Sequence, residues 1–276
     1  MKYKMVCIDL DGTLLNKNHQ ISNYNLSILK KLKEKGVVIS LVTGRRYKSA
    51  LEFAQKIELE APLICFNGGM IINTKTEQII HSSTLPKDYA KRVIKEWVKT
   101  GAPTFAYETT LKDPDVYNQN DSDHHQIRGY FKHEKQAIKK HQDLAGKLHF
   151  EPLCIKTFGY EAHIESCDSL REQFIDDRVL WLKTKDPNNT YYLEIYPIAA
   201  KKSFGLKWLS EHYNIAQEQI IAIGDNLNDL DMLEWAGCGV AMGNALPEVK
   251  EVANLITDTC DNDGVGKILE QLFLGL

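Results

Sequence analysis

Cys7-Ile8-Asp9-Leu10-Asp11-Gly12-Thr13 is the stretch whose reading decides the fold. Met5, Val6, Cys7 and Ile8 form a short apolar run, the pattern of a buried strand. The run ends on two carboxylates one residue apart, followed by a Gly-Thr turn. At a strand end, once the chain begins to turn, Asp9 and Asp11 can face one small volume. Two bare carboxylates there repel each other and call for a cation or a shared proton. An all-oxygen site of this kind suits Mg2+, which takes one or two carboxylates and leaves room for substrate phosphate oxygens. Gly12 lets the backbone approach an anion, and Thr13 adds a hydroxyl and an amide N–H. Asp, Gly and Thr also serve ordinary turns. Four fixed letters in D-x-D-G-T, however, arise by chance in a chain this long well under ~1% of the time.

Working outward, Ser22 reads as the N-cap of a helix carrying Leu26, Leu29 and Leu32, which Gly36 stops. Val37 to Val42 is a second buried strand. It ends on Thr43-Gly44-Arg45, so polar residues again follow an apolar strand directly. Open parallel sheets bind ligands outside the carboxyl ends of their strands. Thr43 and the Gly44 amide are candidates to hold a phosphate oxygen, with Arg45 reaching further out. A helix from about Arg46 to Ile57 and a third strand, Leu63 to Phe66, come next. Asn67-Gly68-Gly69 then turns the chain into a hairpin, Met70 to Asn73 with Gln78 to His81 as its return. Asn67 lies beyond a strand end and can face the site, although its first reading is a turn residue.

From Pro86 the pattern changes. A helix over Asp88 to Thr100 precedes strand-like runs at Thr104 to Tyr107 and Thr110 to Tyr117. Later come a strand at Leu153 to Tyr160, a helix at Cys167 to Asp176, and strands at Val179 to Lys183 and Tyr191 to Tyr196. Helix–strand–strand thus occurs twice, the mark of a small α/β domain with a mostly antiparallel sheet and helices on one face. Between the halves, Asn118 to Phe150 is polar. Asp121, Asp123, His124 and His125 look ligand-like there, but a solvated loop beside a surface helix is the plainer reading. His133, His141 and His149 are expected on the surface as well.

After Pro197 the core pattern resumes. Lys201 and Lys202 open a helix with Phe204, Leu206 and Leu209 facing inward. The first turn of a helix is a poor place for a cation, so two lysines there hint at a nearby anion. Ile220 to Gly224 is another buried strand. It runs into Asp225-Asn226-Leu227-Asn228-Asp229, an acidic, amide-rich turn before a helix at Asp231 to Ala236. A strand at Cys238 to Met242 and two short helices, the last near Val265 to Phe273, follow.

Asp9 to Thr13 match the D-x-D-G-T signature of the haloacid dehalogenase superfamily, which the chain resembles. Thr43 fits its second motif, Lys202-Ser203 its third and Gly224-Asp225-Asn226-Leu227-Asn228-Asp229 its fourth. Lys202 is chosen over Lys201 by its spacing after Pro197. The matches run in order over the chain and resemble the Cof-type branch most, which carries a large α/β cap between the second and third motifs. The resemblance implies an α/β fold, a Rossmann-like parallel sheet of order 3-2-1-4-5. Its discontinuous core would span residues 1–84 and 197–276, with a substrate-specificity cap at 85–196. It also implies a phosphatase forming an aspartyl-phosphate on Asp9, with Asp11 as general acid and base. Mg2+ would sit on Asp9, Asp225 and the Asp11 carbonyl. Leu10, Thr43, Gly44, Lys202 and Asn228 would surround the phosphate, with Arg45, Asn67 and Asp229 adjacent. The implied substrate is a small phosphorylated metabolite such as a sugar phosphate. A phosphomutase of the same superfamily and a non-catalytic phosphometabolite-binding regulator are the alternatives.

Bulk properties narrow the partners. The 276 residues are 43% hydrophobic and 26% charged with a net charge of −3, which provides no basic surface for nucleic acid or membrane. The six cysteines lack C-x-x-C spacing and read as buried thiols of a reducing compartment. No run is long enough to span a membrane and Asp9 interrupts any signal-like segment, so the cytoplasm is expected. None of these features encodes the oligomeric state.

Overall fold

The structure is a computed structural model describing residues 2–120, 124, 127, 138–185 and 189–275. The chain forms two compact units, Met1–His81 with Ala200–Leu276, and Ser82–Ala199.

In the first unit, β1 (Met5–Ile8) pairs in parallel with β2 (Val38–Leu41), Ile8 opposite Leu41. Every residue of β1 is buried, as expected of a parallel strand covered on both faces. The helix between them, Asn23–Glu34, is capped by Ser22, whose Oγ accepts the Asn25 amide at 3.0 Å. Val42, just past β2, bridges Ile64 of β3 (Leu63–Cys65) in parallel. β3 then turns into a three-stranded sheet with β4 (Met70–Asn73) and β5 (Gln78–Ser82).

The second unit is built on β6 (Thr104–Tyr107), β7 (Val116–Gln119), β8 (Ile138–Lys140), β9 (Cys154–Gly159), β10 (Val179–Lys185) and β11 (Tyr191–Pro197). Its sheet order is β10-β11-β9-β6-β7-β8, antiparallel throughout except for the β7–β8 pair. The helices Lys87–Lys99 and Glu161–Asp168 give Val93, Ile94, Trp97, Ile164 and Cys167 to a core shared with Ala106, Ile155, Leu193 and Ile195 of the sheet. Helix–strand–strand does occur twice, but two local expectations fail. The strand expected from Thr110 begins only at Val116, because Pro114 brings no N–H to a ladder. The helix expected over Cys167 to Asp176 lies earlier, at Glu161–Asp168, with Glu161 favourably in its first turn. A separate 3-10 turn, Arg171–Phe174, buries Phe174 and continues the apolar spacing that suggested one helix. Among the described residues before Phe150 there are β8, paired with β7, and one turn at Leu144–Lys147 capped by Asp143; most of the stretch expected to hold a surface helix lies outside them.

His141 and His149 both lie against Tyr117, one stacked at 5.8 Å and one edge-on at 5.9 Å. His124 is buried edge-on to Tyr160, not solvated. Asp121, Asp123, His125 and His133 lie outside the described residues.

The chain then re-enters the first sheet with β12 (Ile220–Gly224), β13 (Cys238–Ala241) and β14 (Leu255–Ile256), all parallel. The order is β14-β13-β12-β1-β2, with β3 joined beyond β2 by the Val42–Ile64 bridge. This is the expected 3-2-1-4-5 with one further edge strand. Ile8 lies opposite Ile223, so the carboxylates following β1 and β12 leave the sheet side by side. The six cysteines are free. No helix among the described residues is long and apolar enough to cross a membrane.

Trp97 is fully buried and meets Trp181 edge-to-face at 5.6 Å. Trp97→Ala is expected to cost about 3–5 kcal/mol of stability by loss of transfer energy and creation of a cavity. Equilibrium denaturation should show it as a lower midpoint; a loss below about 1 kcal/mol would mean that this core collapses around the gap.

Candidate active site

The centre of the site is the Lys202 ammonium, which is wholly buried. Its Nζ donates to Asp9 Oδ1 at 2.6 Å and to Asp229 Oδ1 at 2.5 Å. Lys202 is the first residue of the helix Lys202–Tyr213, whose N-cap, Lys201, supplies no side-chain cap. Asp231 does so from a distant element, its Oδ2 accepting the Ser203 amide at 2.7 Å. Gly68 makes the approach possible: its φ is +94° and a Cβ there would lie 2.1 Å from the Lys201 carbonyl. Lys201 itself is exposed, so Lys202 is the lysine that meets the carboxylates.

Asp229 has no oxygen to spare. Its Oδ2 accepts the backbone amides of Asp225 and Asn226 at 2.9 and 3.0 Å, closing a capping box with Asn226. It therefore orients Lys202 and the Asp225 turn together. Asp225 is oriented in turn by Thr13, whose Oγ1 donates to its Oδ1 at 2.8 Å. Gly12, with φ +75°, lets the first turn pass over that carboxylate; a Cβ there would meet Asp225 Oδ2 at 2.3 Å. The sequence reading missed Asn244, whose Nδ2 donates to the Gly12 carbonyl while its Oδ1 accepts the Cys260 amide, both at 2.8 Å. The available signal was its place, a polar residue just beyond β13 in the same parallel sheet.

Thr43 is buried, and its Oγ1 accepts the Arg45 amide at 3.1 Å. Asn67, with φ 54°, serves the turn and also reaches the site: its amide donates to the Thr43 carbonyl, and its Oδ1 accepts Asn228 Nδ2 at 2.9 Å. A Cβ on Gly44 would stand 3.0 Å from the same Asn67 oxygen, so Thr43, Gly44, Asn67 and Asn228 gather together. Leu10 buries its side chain, which leaves only its backbone for a phosphate. Arg45 departs from expectation. Instead of reaching outward it grips Asp11, Nε to Oδ2 at 2.7 Å and Nη2 to Oδ1 at 2.6 Å. Two parallel N–H···O bonds match a guanidinium better than open solvent does.

Burial pushes the Asp9 carboxyl well up; Lys202 opposes this, while Asp229, Asp225 and Asp11 add to it. Burial and the Asp229 charge push Asp225 up to about 7, against the Thr13 hydrogen bond. Lys202 is desolvated too, but Asp229 and Asp9 outweigh that and hold it firmly charged. Around Asp11, desolvation is overcome by the hydrogen bonds and charge of Arg45, so its carboxyl lies below the usual range. The buried cluster therefore carries more carboxylates than Lys202 neutralises. Asp9, Asp225 and Asp229 each offer an oxygen within 4.8 Å of the others. This excess of hard oxygen donors fits a hard divalent cation such as Mg2+. Since both Asp229 oxygens are committed, Asp9 and Asp225 are the side chains fitted to hold it.

A carboxyl whose folded pKa is raised has its stabilising effect at low pH and loses it as pH climbs through the folded value. For Asp225 that window runs from 3.8 to about 7. The Asp225 contribution should thus lower the metal-free Tm across the window. Mg2+ should raise Tm more at about pH 7.5 than at about pH 5, where protons compete. An equal shift at both would remove Asp225 from the ligand set.

The haloacid dehalogenase-like hydrolase family model matches residues 6–269. The chain is 30% identical to the 5-amino-6-(5-phospho-D-ribitylamino)uracil phosphatase YitU of Bacillus subtilis, over 98% of this chain and 97% of that one. It is 28% identical to the HMP-PP phosphatase of Serratia proteamaculans, over 91% and 87% of the two. A crystal structure of a haloacid dehalogenase-like hydrolase from Bacteroides thetaiotaomicron superposes with a TM-score of 0.84 at 28% identity, covering 99% of this chain and 100% of that one. With the strand order and the polar strand ends already described, the match over nearly the whole length leads to one conclusion: the chain belongs to the haloacid dehalogenase-like hydrolase family, in its Cof-type phosphatase branch.

Proposed function

We propose that the protein is a Mg2+-dependent phosphatase that hydrolyses small phosphorylated metabolites through an aspartyl-phosphate on Asp9. The observation that carries the reading is the buried Lys202 ammonium held between Asp9 and Asp229 at adjacent strand ends. It keeps Asp9 in place and puts positive charge where phosphoryl oxygens would gather.

Asp9, Asp225 and the Asp11 carbonyl would hold Mg2+, which when bound neutralises phosphate charge and favours ionised Asp9. In the first half-reaction an Asp9 oxygen attacks phosphorus in line, and the bond from phosphorus to the ester oxygen breaks with its electron pair going to the leaving oxygen. Asp11, whose carboxyl Arg45 holds low until a phosphate dianion beside it favours the protonated form, donates the proton which that oxygen needs. In the second, Asp11 takes a proton from water as the water oxygen attacks phosphorus, and Asp9 leaves as a carboxylate. Thr43, Lys202 and Asn228, with the backbone of Leu10 and Gly44, hold the equatorial oxygens. The inserted segment 85–196 reads the organic part of the substrate. The two curated relatives act, by their names, on different phosphorylated compounds at similar identity to this chain. What carries over is thus the phosphoryl chemistry rather than one substrate. A panel of sugar and other metabolite phosphates should release inorganic phosphate. Turnover dependent on a bisphosphate activator and returning phosphate to sugar would identify a mutase instead, and binding without turnover a regulator.

Excess chelator is expected to abolish turnover and Mg2+ to restore it; full activity in chelator would sink the metal reading. Asp9→Ala should abolish turnover. Lys202→Ala should leave a residue, down ~10²–10³-fold for one lost charge-stabilising donor. A more damaging Lys201→Ala would move the role to the exposed lysine.

Asp11→Asn keeps the shape and the backbone carbonyl but cannot carry a proton. Phosphorylation of Asp9 by an alkyl phosphate should fall on the order of 10²-fold or more, and by p-nitrophenyl phosphate much less, since nitrophenolate leaves unaided. Rapid quench should then show a nitrophenol burst near one per site, followed by slow turnover. Equal losses without a burst would assign the proton transfer elsewhere.

A further inference from the structure

Arg45 is held from two sides. Its Nη1 donates to the Ser49 carbonyl at 3.1 Å, and its guanidinium lies 5.0 Å above the Phe53 ring. Ser49 and Phe53 are one turn apart on the helix Tyr47–Lys56 that follows Arg45 itself. The fork that faces Asp11 is thus aimed by local structure. Asp11 is not built like its neighbours. Its side chain is 49% exposed, whereas Asp9 and Asp229 are buried. The close carboxylate cluster comprises Asp9, Asp225 and Asp229, and Asp11 is not one of its members.

We propose that Arg45 is a positioning residue: its fork holds the Asp11 carboxyl group in one orientation, apart from the buried cluster. The two carboxylates of D-x-D are thereby sorted, Asp9 to the cation and Lys202, Asp11 to the leaving oxygen. The inference rests on the aspartyl-phosphate reading above. Four carboxylates meet at these strand ends and two cations take three of them, Lys202 pairing with Asp9 and Asp229 and Arg45 with Asp11, while Asp225 is held by Thr13. Without the guanidinium, repulsion from Asp9 and Asp225 would turn a half-exposed carboxylate toward water. A proton carrier displaced by about 1 Å can lose on the order of 10²-fold in rate. Lysine would return the charge but not the planar fork, so it would repair the loss in part.

The test compares phenyl phosphate with p-nitrophenyl phosphate, two defined probes whose leaving groups differ in their need for a proton. The readout is the ratio of their kcat/KM values, which report phosphorylation of Asp9. In Arg45→Ala the phenyl-to-nitrophenyl ratio is expected to fall about tenfold, as for partial loss of a general acid. Arg45→Lys should recover part of that fall. In Asp11→Asn the ratio falls as well, and Arg45→Ala added to it should lower the ratio no further, because Arg45 acts through Asp11. Thermal melting of each variant confirms folding, and the Lys variant carries the comparison should the Ala variant fail to fold. A ratio that falls in Asp11→Asn but stays at the wild-type value in the Arg45 variants overturns this inference alone. So does an Arg45 effect that persists undiminished in the Asp11→Asn background, which would mean direct contact with substrate. A wild-type ratio in Asp11→Asn itself overturns the reading beneath it.

Discussion

A charged lysine with no exposed surface is the constraint on which the site depends. Lys202 is tolerable in the interior because two carboxylates meet its ammonium, and those carboxylates are tolerable because Lys202 is there. Removing one partner of such a set strands the others without compensation, at a typical cost of about 3–5 kcal/mol. Asp9 follows β1, Asp229 closes the turn after β12, and Lys202 opens a helix far along the chain from Asp9. The ion pairs therefore add a charged tie among three strand and helix ends that the β1–β12 pairing and the Asp231 cap on Ser203 bring together.

Backbone chemistry fixes the rest of the cradle. Asp229 takes two amides from the turn it belongs to, so the loop after β12 cannot move without disturbing Lys202. Gly12 and Gly68 leave the space in which the Asp225 carboxylate and the Lys201 carbonyl come to rest. Asn244 ties the carbonyl of the first turn to the loop around Cys260. The Asp229 bonds use hydrogen-bonding groups that would otherwise be costly to bury. Together they leave Asp9 and Asp225 as the carboxylates fitted to a cation.

Two opposite electrostatic conditions exist two residues apart. Asp9 is buried with more negative than positive charge around it, and its carboxyl is driven up. Asp11 is half exposed and paired with Arg45, and its carboxyl is driven down. The contrast sets the two carboxylates apart: Asp9 lies within the buried cluster with Lys202, and Asp11 lies outside it on the Arg45 fork. A divalent cation such as Mg2+ and the guanidinium that Asp11 has are not interchangeable, since the first takes oxygens in octahedral geometry and the second pairs with a carboxylate as a planar fork.

Much of this was legible in the residues. Apolar runs ending at Asp9, Thr43 and Asp225 located the strands, because a parallel strand buried on both faces must be apolar and must stop where polar residues begin. The family resemblance that the motifs carry implied the strand order, with β14 as an unforeseen addition of two residues. The helix at Glu161–Asp168 and the strand β8 were misread because their positions depend on pairing with distant segments, β8 with β7 above all. Sequence alone also established which residue types the site contains. Which of them face one another was decided by tertiary structure. Only the fold shows that Lys202 is buried while Lys201 is exposed, that Asp229 spends both oxygens on orientation, that Asn67 meets Asn228, and that Arg45 turns back onto Asp11. Those pairings depend on Coulomb attraction, burial and hydrogen-bond direction between groups up to some two hundred residues apart, and no local pattern in the chain encodes them.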